Sequence, residues 1–228
     1  MKAARDRRAS RWDAHRRTRR AELTDAALLA IRTHGAAVGM DEVAAKAGTS
    51  KTVVYRHFGD RTELYVAVCA RVAEVLVGQI RAAMDSAGGP RAQTAAGIEA
   101  YLRLIEHDPE VYRFVVHRPL VDRALTALPG SAAPGSGAPG SGDPVADLVS
   151  LVGDQAAAVI AAQIARTGGD PTAAVPWGHG VVGMVRAAAD NWLARPGSMT
   201  RAQLAAHLTD LAWAGLSRVV VTPAKEES

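Results

Sequence analysis

Lys51, Thr52, Val53, Tyr55, Arg56 and His57 follow one another with one interruption, Val54, and no acid among them. Their chemistry is donation: ammonium, guanidinium, hydroxyl and imidazole groups, with the methyls of Thr52 and Val53 beside them. A surface of phosphate oxygens and base-edge acceptors takes such groups. Lys and Arg pair with guanine O6 and N7, methyls contact thymine, and hydroxyls reach phosphates.

Such groups read a surface only when a rigid element presents them. Ser50 is an N-cap residue type, and a helix from it to about His57 turns Val54 and Phe58 inward and the donors outward. Upstream, Met40–Ala47 places Val43, Ala44 and Ala47 on one face of a helix. Gly48 supplies the backbone freedom of a sharp helix end. Helix, short turn, helix is the arrangement whose second helix lies in a DNA major groove.

The 228 residues are 48% hydrophobic, enough for a substantial core. Cys69 is the only cysteine, so neither an intrachain disulfide nor a cysteine-rich metal site can form. No uninterrupted apolar run approaches the roughly 18–20 residues of a membrane span, and the Arg-rich start has no apolar signal segment. A cytoplasmic protein without a membrane partner is expected. The net charge of +4 is uneven: residues 1–61 hold 14 Lys or Arg against 7 Asp or Glu (+7), and residues 62–228 hold 13 against 16 (−3). Positive charge gathered at the helix-turn-helix end fits a polyanionic partner.

Catalysis finds no foothold. GxSxG, HExxH, P-loop and GxGxxG patterns are absent, and acids and histidines lack ligand spacing. Glu106-His107-Asp108 comes nearest, but consecutive helical residues point in different directions. No catalytic residue, metal or cofactor is expected.

In chain order, residues 1–15 read as a basic flexible arm. A first helix follows, about Arg16–His34, with Leu23, Ala27, Leu28 and Ile31 inward. It completes a DNA-binding domain over 16–60. Asp60-Arg61-Thr62-Glu63 has capping-box spacing and opens a helix to about Ser86, on a spine of Leu64, Val68, Val72, Val75 and Ile80. The remainder, 61–222, reads as helices over about 91–107, 110–118 with a continuation to 127, 145–167, 172–194 and 200–219. Residues 129–144, with APGSG twice in tandem, read as a flexible loop. The 200–219 helix carries Leu204, Leu208, Leu211, Gly215 and Val219 near heptad spacing. The 172–194 helix is apolar on more than one side, which suits either a second subunit or the centre of a monomeric bundle.

The stretch GMDEVAAKAGTSKTVVYRHFGDRTELYVAV resembles the DNA-binding signature of the TetR family of transcriptional regulators over residues about 17–70. Ser50-Lys51, Val54-Tyr55, His57-Phe58 and Arg61 carry that resemblance. It implies an all-α homodimer, a three-helix helix-turn-helix domain followed by a helical ligand-binding and dimerisation bundle. By position, the resemblance implies that Lys51, Thr52 and Val53 read bases, that Tyr55 and His57 touch phosphate, and that Arg61 grips phosphate. Gly39, Met40, Ser50 and Arg56 complete the candidate DNA contacts. Further on, IEHDPEVYRF, GVVGM, NWL and LAWAGLS resemble actinobacterial members that regulate fatty-acid synthesis and sense long-chain acyl-CoA.

The expected function is a ligand-responsive regulator, a repressor on a palindromic double-stranded DNA operator, set by a small hydrophobic ligand. Tyr101, Phe114, His117, Trp177, Val181, Met184 and Trp192 are the candidates to line its pocket, with Arg113 and His179 for a polar head group. The alternative is an architectural protein that binds any duplex alike.

Overall fold

The computed structural model describes residues 2–116, 144–166 and 168–220. Among them every regular element is helical: α1 (Lys2–His34), α2 (Met40–Lys46), α3 (Lys51–His57), α4 (Arg61–Asp85), α5 (Pro90–His107), α6 (109–116 in its described part), α7 (Pro144–Arg166), a 3₁₀ turn (Pro171–Ala173), α8 (Ala174–Ala194) and α9 (Arg201–Val220). The expected all-α class holds. Residues 129–143 of the expected loop, and any continuation of α6, lie outside the described residues.

Two compact units divide the chain. The boundary falls inside α4, between Val72 and Ala73; residues 108–116 belong with the first unit, and α5, α7, α8 and α9 with the second. The expected division at residue 60 is one of role, between a DNA-binding domain and a bundle, whereas these units are ones of packing.

In the first unit α1, α2 and α3 pack on Leu23, Ile31, Val43, Val54, Phe58 and Val68, each at most 1% exposed. α1 begins at Lys2, where the sequence had suggested a structureless arm to residue 15. Ala and Arg are strong helix formers, and once nucleated a helix propagates at low cost without an apolar stripe. α2 ends in a Schellman motif. Thr49 N–H donates to the Ala44 carbonyl (3.0 Å) and Gly48 N–H to that of Ala45 (3.2 Å), with Gly48 at φ +60°. Asp60 accepts from Glu63 N–H at 2.8 Å, while the Glu63 carboxylate reaches back to Gly59 N–H at 3.2 Å.

α6 is anchored in the same unit. Asp108 takes a bidentate pair from Arg32, both contacts at 2.8 Å, and Glu110 accepts from Ala36 N–H at 3.2 Å. Tyr65 donates its hydroxyl to the Val115 carbonyl at 2.8 Å and tilts against Phe114, centroids 5.6 Å apart. On α4 the buried positions are Leu64, Tyr65, Val68, Cys69 and Leu76; Val72, Val75 and Ile80 of the expected spine are half-buried.

In the second unit α7 packs on α8 and α5 on α9. α8 buries Ala174, Gly178, Val185 and Ala189 on one face. Thr200 and Gln203 form a capping box at the start of α9: Thr200 N–H donates to Gln203 Oε1 (2.9 Å) and Gln203 N–H to Thr200 Oγ1 (3.3 Å). Arg201 bridges from α9 to Glu99 and Glu106 on α5.

One expectation needs correction here. The buried face of α9 is Leu204, Ala205, Leu208, Thr209 and Ala212, whereas Leu211 is 61% exposed. At about 100° per residue that face is centred between Leu208 and Ala212, and Leu211 falls roughly 90° round from its centre. Residues Leu148–Arg166 of α7 are long and apolar enough, by length and composition, to cross a membrane. Ser150, Gly153, Asp154, Gln155 and Gln163 interrupt the stretch, so no unbroken apolar run exists there and the sequence expectation stands. Only 22% of that stretch is buried within the chain.

Candidate nucleic-acid interface

α3 is short and would not hold its shape alone. Three contacts fix it. Ser50 Oγ accepts from Val53 N–H at 3.4 Å, Val54 and Phe58 are fully buried, and Arg20 from α1 ties down the far end. Arg20 Nη1 donates to the His57 carbonyl at 2.5 Å, and its guanidinium lies 4.3 Å over the Phe58 ring. A helix-terminal carbonyl has no intrahelical partner, so an arginine there satisfies an otherwise orphaned group. Sequence reading missed Arg20, since a contact 37 residues away leaves no local pattern.

What α3 leaves outward matches the sequence expectation. Lys51, Thr52, Tyr55 and Arg56 are exposed, Val53 and His57 half-exposed. Burial first, then Arg56, Arg19, Arg16 and Arg20, hold the His57 imidazole below its ordinary range, so it is neutral near pH 7. Lys51 Nζ sits 2.8 Å from Asp41 Oδ2, a neighbour that holds the ammonium above its ordinary range. Ser50 is exposed, but its oxygen is engaged as the cap.

The remaining candidates are placed differently. Met40 is 5% exposed and faces the core, so it offers a groove its backbone alone. Gly39 N–H donates to Glu42 at 3.0 Å. Arg61 Nη2 donates to the Val38 carbonyl at 2.8 Å, which makes it a strut between α4 and the loop before α2. A guanidinium has five donor hydrogens, so that bond does not exhaust it.

The candidate ligand residues are not gathered at one point. Phe114 belongs to the first unit and lines, with Ile31, Val38, Met40 and Leu64, a void of about 10 Å³, room for a single water. Tyr101, Trp177, Val181, Met184 and Trp192 are half-buried in the second unit. Trp177 packs on Ile160, Ile164 and Ala174 at one end of α8. Trp192, about 22 Å further along at 1.5 Å per residue, donates Nε1–H to the Met199 carbonyl at 2.8 Å. Arg113 is paired with Glu110, and His179 lies 3.0 Å from Asp154. His117 lies outside the described residues.

Comparison with known proteins decides what this head belongs to. Residues 23–68 match the profile of bacterial regulatory proteins of the tetR family, and residues 79–225 that of the tetracyclin repressor-like C-terminal domain. The chain belongs to the TetR family. An uncharacterised HTH-type transcriptional regulator of Mycobacterium tuberculosis is 31% identical over 216 residues, 94% of this chain and 84% of that one. The HTH-type transcriptional activator FasR of Mycolicibacterium smegmatis is 41% identical over 85 residues, 37% of this chain and 39% of that protein. Among solved structures, FadR of Bacillus subtilis in complex with stearoyl-CoA superposes with a TM-score of 0.61 at 12% identity, over 85% of this chain and 97% of that one. That likeness is one of fold. This TetR-family protein is a transcriptional regulator.

Proposed function

We propose that this TetR-family regulator is a repressor that binds a palindromic operator as a homodimer, with a small hydrophobic ligand, by preference a long-chain acyl-CoA, setting its DNA affinity. The observation that carries the DNA half is α3: a capped and pinned helix whose outward groups are Lys51, Thr52, Val53, Tyr55, Arg56 and His57. Lys51, Thr52 and Val53 at its N-terminal end meet bases; Tyr55, Arg56, His57 and the remaining donors of Arg61 meet phosphates; Gly39, Met40 and Ser50 approach the duplex through the backbone. A symmetric dimer sets two such helices roughly 34–36 Å apart, or a multiple of it. Such a protein works where the chromosome is, in the cytoplasm.

The ligand half rests on FasR as a relative and on the fold shared with an acyl-CoA-bound FadR. The half-buried residues spread along α8 suit an elongated ligand better than a compact one. α4 is one unbroken helix through which the division between the two units runs, so a ligand that prefers another setting of α4 alters how α3 is presented. The coupling required is about 1–3 kcal/mol.

Selection of bound duplexes from a random pool tests the DNA half. The expected product is a palindrome bound roughly 10³-fold or more above scrambled DNA. Lys51→Ala should cost about 1–3 kcal/mol on that operator and relax one position per half-site. Enrichment of no sequence at all would mean an architectural DNA-binding protein. Mass spectrometry of co-purifying small molecules tests the ligand half, with an acyl chain expected.

A further inference from the structure

No acid lies on the outward face of α3, yet one reaches it from the neighbouring helix. Asp41, in the first turn of α2, holds the Lys51 ammonium at 2.8 Å, with the two side chains 72% and 49% exposed. An acid in the first turn of α2 suits the positive end of that helix, but this does not require it to reach Lys51, and an exposed pair of this kind adds little to stability. A carboxylate facing a phosphate-lined groove also costs binding. Its presence beside the first residue of α3 points to recognition.

We infer that Asp41 is a specificity-determining residue, and that the Lys51–Asp41 pair reads one G·C base pair in each half-site. The inference rests on the reading of α3 as the groove-entering helix. In the major groove guanine presents the acceptors O6 and N7, and cytosine beside it presents the N4 donor. A lysine with two further N–H donors, set next to a carboxylate with a free acceptor position, carries the complementary pattern. The pair also has no net charge. While Asp41 holds it, Lys51 is withheld from phosphates, and binding to arbitrary duplex gains nothing from it.

Asp41→Asn keeps the size and removes the charge. In filter or fluorescence binding against the selected operator and a scrambled duplex, with salt varied, it should raise affinity for scrambled DNA several-fold. The salt slope on that DNA should steepen by about 0.9 per subunit, because Lys51 now neutralises a phosphate. The ratio of operator to scrambled binding should fall by about tenfold or more, and a repeated selection should lose a G·C preference at one position per half-site. In a Lys51→Ala background the same change should leave the salt slope unaltered. An Asp41→Asn protein with an unchanged ratio and slope overturns the inference, as does an equal steepening without Lys51. If Lys51→Ala alone leaves operator binding intact, the groove assignment itself fails and the inference falls with it.

Discussion

Arg20 makes three contacts with one planar group: the His57 carbonyl, the face of Phe58, and Glu63 at 3.5 Å. A lysine ammonium can donate in two directions but has no planar face to lay on the ring at the same time. Arg20→Ala should lower stability by about 2–4 kcal/mol, the sum of a charge-assisted hydrogen bond and a half-exposed cation–π contact. Urea denaturation checks this, and Arg20→Lys should recover little. His57 makes a second residue-scale case. Its folded-state pKa is depressed, so the accompanying stability is present above about pH 6.5 and is lost as pH falls below it toward the folded value. A phosphate beside the ring acts the other way. DNA binding then takes up a proton, and operator affinity should rise across the same window. His57→Gln should flatten both profiles, read by thermal melts and binding between about pH 8 and 5.

Helices α7 and α8 meet closely because Gly178 has no side chain. A Cβ there would stand 2.4 Å from Ala157 N and 2.7 Å from the Gly153 carbonyl oxygen, both backbone. Gly178→Ala should therefore force the helices apart and cost about 1–3 kcal/mol. Gly180→Ala, with nothing within 4 Å, should instead gain about 0.5–1 kcal/mol by stiffening the helix. Differential thermal unfolding of the two variants decides it. At this scale the sequence was most readable. The turn at Gly48, the cap at Ser50 and the inward Val54 and Phe58 are local features, and each has a residue type that announces it. The seating of Asp108–Val115 on the first unit had no such sign, because it depends on Arg32, Ala36 and Tyr65 far back in the chain. The direction of the Met40 side chain, which is buried, had no local sign either. At the start of a short helix, one apolar residue can face either the core or the groove, and packing chooses.

For the molecule as a whole, the unsettled surface lies in the second unit. Leu151 and Val159 on α7, Val175 on α8 and Leu211 on α9 are 44–61% exposed, and only 22% of the apolar stretch of α7 is fully buried within the chain. Large apolar side chains exposed on three helices of one unit are candidates for a cover, and a second copy of the same unit is the cover that the proposed two-headed operator reader requires. In a two-fold interface each substitution is met twice, once from each subunit. Leu211→Glu should therefore weaken association by about 1–3 kcal/mol per copy, about 2–6 kcal/mol per dimer, or roughly 30-fold to 10⁴-fold in the dimer dissociation constant. Leu29→Glu, at 51% exposure on the first unit, should leave it unchanged. Sedimentation velocity over a concentration series separates the two. A Leu211→Glu protein that stays as dimeric as the parent would place the interface elsewhere. Loss of the dimer should carry the operator with it, since one α3 alone reaches only one half-site, while affinity for a single half-site duplex persists.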